Sequence, residues 1–197
     1  MKFNVVFCGV GGQGVVVLSD IFCEAGLIDG FDVAKAEVHG MAQRGGSMVA
    51  HARLGEKVQA PLIERGKADV LLGFEMLETA RNLPMLKKNG TIIVNTKYLS
   101  PNMTGATARK PLTQLQLSNI IDQSGCKVHE ADAESIATEL GNLLVVNTIL
   151  LGALSALPET PVKKKSFEKA IAGRFKEKYI KVNLQAFQRG RDIVILG

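Results

Sequence analysis

The chain has 197 residues, 46% of them hydrophobic and 22% charged, which suits one folded domain with a single core and excludes a predominantly disordered chain. The net charge of +5 is concentrated late, at Lys163-Lys164-Lys165 and from Arg174 to Lys181, so it describes a local face, either solvated or turned to an acidic partner, and does not imply nucleic acid. Cys8, Cys23 and Cys126 are too few and too dispersed for a disulfide framework, a tetrahedral zinc site or the four thiolates of an iron–sulfur cluster.

Phe3 to Cys8 is a nearly continuous apolar run, the pattern of a strand buried on both faces of a parallel sheet. It leads into Gly9-Val10-Gly11-Gly12-Gln13-Gly14 and then an amphipathic helix from Val15 through Leu27. Gly9, Gly11 and Gly14 have the G-x-G-x-x-G spacing, which lets a ligand approach the free N–H groups and dipole of a helix N-terminus. Gly9, Gly11, Gly12, Gln13 and Gly14 are therefore the candidate cofactor-binding residues. The other reading of the same turn is that its glycines only let the helix pack closely on the sheet.

After the turn at Asp29-Gly30, Phe31 to Ala36 reads as a second strand and completes a βαβ unit. Glu37 stands about where a dinucleotide site places its ribose-binding acid. A polar, glycine-bearing loop, Glu37 to Ser47, follows, and then an alternating strand from Ser47 to Leu54, which is expected to pair antiparallel and make the sheet mixed. Ala68 to Phe74 is a buried strand, Glu75 to Leu83 a helix, and Thr91 to Asn95 a strand opening after an Asn89-Gly90 turn. Gly73, Phe74, Glu75 and Asn95 are expected on the same side as the glycine turn, where strand ends form a crevice.

Tyr98 to Pro111 is a loop, fit for a lid, a docking surface or a plain connection. A helix from Pro111 to Gln123, a strand from Lys127 to Glu130 and a helix from Asp132 to Leu140 follow, with Asp132 and Ser135 as its starting residues. Asn142 to Leu157 is an apolar helix too short and too polar to span a membrane, and two more helices, Lys165 to Phe175 and Glu177 to Asp192, close the chain. The expected architecture is a three-layer, Rossmann-like α/β domain over residues 1–197, with a mixed, mostly parallel sheet and with 142–197 as a C-terminal helical portion. The N-terminal run lacks a signal-peptide layout, so a reducing cytoplasm is expected.

The glycine turn, the His39-Gly40-Met41-Ala42-Gln43-Arg44-Gly45-Gly46-Ser47 run and the Phe175 to Gly190 segment, in that order, resemble the gamma-type subunit of 2-oxoacid:ferredoxin oxidoreductases. The strongest likeness is to the beta-subunit type of indolepyruvate:ferredoxin oxidoreductase. The resemblance covers nearly the whole chain. It implies one part of a larger enzyme that converts a 2-oxoacid and coenzyme A into acyl-CoA, carbon dioxide and reduced ferredoxin. It also implies that thiamine diphosphate and iron–sulfur clusters sit on partner subunits and that the isolated chain holds no cofactor and is inactive. The His39 to Ser47 run favours an aryl pyruvate such as indolepyruvate.

Beside that resemblance, the loop residues Glu37, His39, Gly40, Arg44, Gly45, Gly46 and Ser47 form a candidate partner or ligand surface. Arg44 offers a planar fork for a carboxylate or phosphate; equally, it could pair with Glu37 while the glycines shape the turn. His39 has no Ser, Cys or Asp beside it to form a relay, and His39, His51 and His129 lack metal-ligand spacing, so no catalytic and no metal residue is assigned. Two other functions stay open: an independent Rossmann-like nucleotide-binding enzyme, and a noncatalytic assembly scaffold.

Overall fold

The computed structural model describes residues 1–40, 45–99 and 111–196. Its sheet has six strands: β1 (Lys2–Val10), β2 (Asp32–His39), β3 (Ser47–Gly55), β4 (Ala68–Gly73), β5 (Leu86–Asn95) and β6 (Lys127–Ala131). They lie in the order β2-β3-β1-β4-β5-β6. β3 runs antiparallel to both β1 and β2, while β1, β4, β5 and β6 are mutually parallel, so the sheet is mixed and mostly parallel. Among the described residues seven α-helices surround it: α1 (Val15–Ile28), α2 (Met76–Asn82), α3 (Gln114–Asp122), α4 (Ala133–Glu139), α5 (Val146–Ala156), α6 (Lys164–Arg174) and α7 (Glu177–Ile195).

The unbroken apolar run of β1 follows from burial on both faces. Phe3, Val5 and Phe7 enter one core with α1, α5, α6 and α7, and Val6 and Cys8 enter the other with α2 and α3. On the first face an aromatic chain runs outward from the sheet. Phe7 meets Phe22 edge-on at 5.6 Å between centroids, Phe22 lies 6.3 Å from Phe167, and Phe167 lies 5.8 Å from Phe187. Each such pair contributes about 0.5–1.5 kcal/mol beyond its buried area, and together they fix α1, α6 and α7 on β1. Asp29, just past α1, accepts the Lys163 N–H and the Ser166 hydroxyl and so holds the start of α6. Among the described residues no helix is long and apolar enough to cross a membrane.

Several boundaries differ from those read in the sequence, three of them for a local structural reason. Glu37, Val38 and His39 continue β2, and the hairpin connection is only 40–46; polar side chains are compatible with a strand at a sheet edge. Asn89 and Gly90 do not begin a strand. They form a bulge inside β5, with Asn89 at φ 62° and the register to β4 jumping between Ala68 and Val70. The Asn142 to Leu157 helix starts as a 3-10 turn, Leu143–Val145, because Asn142 uses its side-chain oxygen to accept the Leu144 N–H before α5 begins.

Candidate functional site

At the carboxyl end of β1 the chain reverses through the glycine turn into α1. Gln13 closes that turn from within: its side-chain oxygen accepts the Val10 N–H at 2.7 Å, and its own N–H donates to the Val10 carbonyl at 3.1 Å. The glycines serve different ends. A Cβ on Gly9 would stand 2.7 Å from the Gln13 oxygen and 2.8 Å from Phe74 Cβ, so Gly9 answers to packing. Gly12 and Gly14 adopt φ 103° and 88°, the left-handed region that favours glycine. Gly14 is the N-cap of α1, whose first turn has no side-chain cap.

Gly11 turns its backbone to the hairpin, donating to the Gly46 carbonyl at 2.9 Å. The two glycine-bearing segments singled out in the sequence therefore meet. Gly40 N–H donates to the Ser47 carbonyl at 2.9 Å to close the hairpin, and Gly45 takes φ 76°. Ser47 donates its hydroxyl to Glu78 Oε2 at 2.5 Å, and Arg81 forms an ion pair with the same buried carboxylate. Glu37 lies away from this junction. It is on the edge strand, held by Lys35 at 2.7 Å and with His39 at 3.3 Å. β3 stands between β2 and β1, which puts Glu37 two strand spacings, about 10 Å, from the strand that carries the glycine turn. His39 is exposed. Arg44 lies outside the described residues.

A cavity of about 380 Å³ opens over the turn, lined by Gly12, Gln13, Gly14, Phe74, Asn95, Lys97, Glu134, Leu143, Leu144 and Asn147 among others. It sits where the chain leaves β1 for β2 on one side of the sheet and β4 lies on the other, the topological switch point at which α/β sheets form their crevice. Phe74 and Asn95 are there as the sequence indicated. Buried Asn95 donates to the Phe74 carbonyl at 3.1 Å and accepts the Ala133 N–H at 3.3 Å, joining the end of β4 to the start of α4. Gly73 instead abuts Thr79, whose hydroxyl oxygen would lie 1.7 Å from an added Cβ.

Glu75 turns into α2, where its carboxylate caps the Leu77 and Glu78 N–H groups; burial pushes its pKa up against the lowering effect of those bonds, with the Glu78 carboxylate adding to the rise. Sequence reading did not single out Lys97, Glu134, Leu143, Leu144 or Asn147. Lys97 follows the end of β5 by two residues, a position that the strand-end rule could have flagged, and it pairs with Glu134 at 3.0 Å across the rim. Leu143 and Leu144 are 63% and 84% exposed beside the cavity. Chemically, the place offers an uncapped helix N-terminus, a Lys97–Glu134 ion pair and an apolar lip, which suits a polar group at the helix end attached to an apolar body.

The cysteines do not fit a cluster. Cys8 faces one core and Cys23 the other, on opposite sides of the sheet. Burial pushes the Cys8 thiol well up and raises Cys23 to about 12, far from the thiolate that ligation needs. Among the described residues no three His, Cys, Asp or Glu side chains gather as a metal site.

Residues 4–193 match the family described as pyruvate ferredoxin/flavodoxin oxidoreductase. The chain is 36% identical over 190 residues to the indolepyruvate oxidoreductase subunit IorB of Thermococcus kodakarensis, covering 96% of this chain and 94% of that protein. The solved keto/oxoacid ferredoxin oxidoreductase gamma subunit of Geobacter sulfurreducens has the same fold, with a TM-score of 0.75 at 22% identity and 99% of each chain covered. The whole chain also superposes, at a TM-score of 0.75 and 18% identity, on 31% of a chain of the 2-oxoglutarate:ferredoxin oxidoreductase of Magnetococcus marinus, solved with 2-oxoglutarate, coenzyme A and succinyl-CoA bound.

Proposed function

The chain belongs to the pyruvate ferredoxin/flavodoxin oxidoreductase family, and from that premise we propose that it is the small subunit of an enzyme that oxidatively decarboxylates indolepyruvate or another aryl pyruvate with coenzyme A. The products are the acyl-CoA, carbon dioxide and reduced ferredoxin. The observation that carries this reading is the full-length likeness to the IorB subunit. It is a subunit of a 2-oxoacid:ferredoxin oxidoreductase; thiamine diphosphate and the iron–sulfur clusters belong to partner subunits in the cytoplasm. Residues 1–197 act as one domain, with 142–197 as its helical portion.

The junction of the glycine turn with Gly45 and Gly46, and the cavity over the turn, form the face turned to the cofactor-bearing partner and to coenzyme A. Gly12 and Gly14 leave the approach to α1 open, the Lys97–Glu134 ion pair lines the rim, and Leu143 and Leu144 supply apolar contact. The same reading gives Arg44 a contact with a carboxylate or phosphate of the partner or ligand. The reading as an independent dinucleotide enzyme loses its ribose-binding acid, since Glu37 sits on the far strand and is engaged by Lys35.

Copurification from the native cell, identification of the attached polypeptides, and assay of viologen reduction by the complex and by this chain test the proposal together. The complex should reduce the dye with indolepyruvate and coenzyme A, and the chain alone should not. Robust turnover by the homogeneous chain, or micromolar binding of NAD to it, would overturn the subunit reading.

A further inference from the structure

We propose that the free edge of β2 is a two-fold interface at which a second copy of this chain adds its own β2 antiparallel, centred on Ala36. β2 is eight residues long and ends the sheet; among the described residues no strand pairs with its outer side. A row of open N–H and C=O groups of that length is a template for another strand. The two faces of β2 differ. Lys35 stands opposite Ala52, in the core under α1, and reaches Asp20 of α1 at 2.5 Å. Ala34, Ala36 and Val38 point the other way, toward the side on which α2 packs on β1, β4 and β5. Val38 is 50% exposed there.

The sequence of this strand selects one register with itself. Directly opposed residues of an antiparallel pair share a face, so only residues of like parity can face each other. Centring the pair on Lys35 sets two ammonium groups against each other, and centring it on Glu37 sets two carboxylates against each other. Centring it on Ala36 places Lys35 opposite the partner's Glu37, twice by symmetry, on the α1 face. On the open face it places Val38 opposite the partner's Ala34 and Ala36 opposite the partner's Ala36, a large residue against a small one on either side of a small pair. Charge and size are both complementary in that register, which also uses the strand from Val33 to His39.

Single cysteines introduced in a Cys126→Ser background read the register, since Cys8 and Cys23 are buried. Opposed Cα atoms lie about 4.5–5.5 Å apart, within disulfide reach, so Ala36→Cys should give a covalent dimer under mild oxidation. Ala34→Cys should not, because its copies would be roughly 13 Å apart along the strands. The experiment is run on the full chain alone and in the complex copurified from the native cell. Sedimentation should show a dimer that Glu37→Lys weakens about tenfold or more, as two attractive pairs become repulsive. A sedimenting monomer at all concentrations, cross-linking of Ala34→Cys as readily as Ala36→Cys, or an Ala36→Cys cross-link that disappears in the complex would each overturn the interface, the last by showing that a different subunit takes the edge.

Discussion

Gly11 donates its backbone N–H to the carbonyl oxygen of Gly46 across 2.9 Å, so the β1–α1 turn and the β2–β3 hairpin share one junction. The junction is anchored a second time by Ser47, whose hydroxyl reaches buried Glu78 on α2. The hairpin is thus tied both to the β1–α1 turn and to α2, and substitutions at these anchors should be felt at the candidate partner face.

Gly14→Ala should destabilise more than Gly12→Ala. Both impose a left-handed conformation on an L-residue, which costs about 1–2 kcal/mol. Only the Gly14 Cβ meets a neighbour, Asn147 Nδ2 at 2.9 Å, while the Gly12 Cβ has nothing within 4 Å. Thermal melts of the two variants should differ, with Gly12→Ala falling about 2–8 °C and Gly14→Ala further. Equal melts would mean that the Asn147 contact relaxes without cost. Because the Gly12 Cβ points into free space beside the cavity, its larger effect is expected on assembly or turnover of the complex.

Ser47→Ala removes a hydroxyl donor from a buried carboxylate, and hydrogen bonds to charged groups contribute about 1.5–3 kcal/mol. Arg81 remains on Glu78, which places the expected loss at the lower end of that range. Amide exchange at Gly11, whose N–H donates to the Gly46 carbonyl, should quicken in the variant, and Ser47→Thr should restore most of the protection. Unchanged exchange in Ser47→Ala would show that the backbone bonds alone hold the junction.

Gly190→Ala should be among the most damaging single changes in the helical portion. Its Cβ would lie 1.8 Å from the Ile149 carbonyl oxygen, and on the facing helix a Gly152 Cβ would lie 2.1 Å from the Phe187 carbonyl oxygen, so backbone stands against backbone where α5 crosses α7. Neither neighbour is a side chain that can swing away, and overpacking of this kind costs about 1–3 kcal/mol or more. Gly173→Ala in α6 is the contrast. Nothing lies within 4 Å of its Cβ, so it should stabilise by about 0.4–1 kcal/mol. Urea unfolding of the two variants checks both signs.

The parallel strands and helices were legible because burial on both faces leaves continuous apolar runs, as in Phe3 to Cys8, and because caps such as Asp132 with Ser135 mark helix starts. The antiparallel β3 showed itself by alternation. β2 was read too short because its outer half is half-solvated and polar, so Glu37 to His39 looked like loop. The Asn89-Gly90 signal was real as a left-handed backbone but marked a bulge, which local sequence does not distinguish from a turn. Within the site, the glycine turn and the hairpin were visible separately. Their contact was not, since a backbone bond from Gly11 to Gly46 leaves no side-chain trace, and the same is true of the closeness of Leu143, Leu144 and Asn147 to Gly14.

Acidification should destabilise the chain through two histidines while one glutamate acts in the opposite sense. His51 is buried, and its Nδ1 accepts the Ile63 N–H at 3.2 Å, a bond that only the neutral ring can make; burial holds its pKa below the ordinary 6.5. His129 is also held below 6.5, by burial first and by Lys127 second, against the opposing pull of Glu159. For both, the unfolded chain takes up a proton as pH falls through 6.5 while the folded chain does not, so stability is lost from 6.5 down to the lowered folded value and the loss is complete below it. Glu75, raised above its ordinary 4.5, binds its proton in the folded state first, so it adds stability as pH falls from the raised value to 4.5. Urea midpoints at pH 7.5, 6.5, 5.5 and 4.5 should therefore decline from about 6.5 downward. In His51→Asn the amide oxygen still accepts from Ile63, and combining it with His129→Asn should flatten the decline, while Glu75→Gln should steepen its lower end. If the double histidine variant keeps the full wild-type slope, the two imidazoles are not its source and the carboxylates of the surface ion pairs become the groups to titrate.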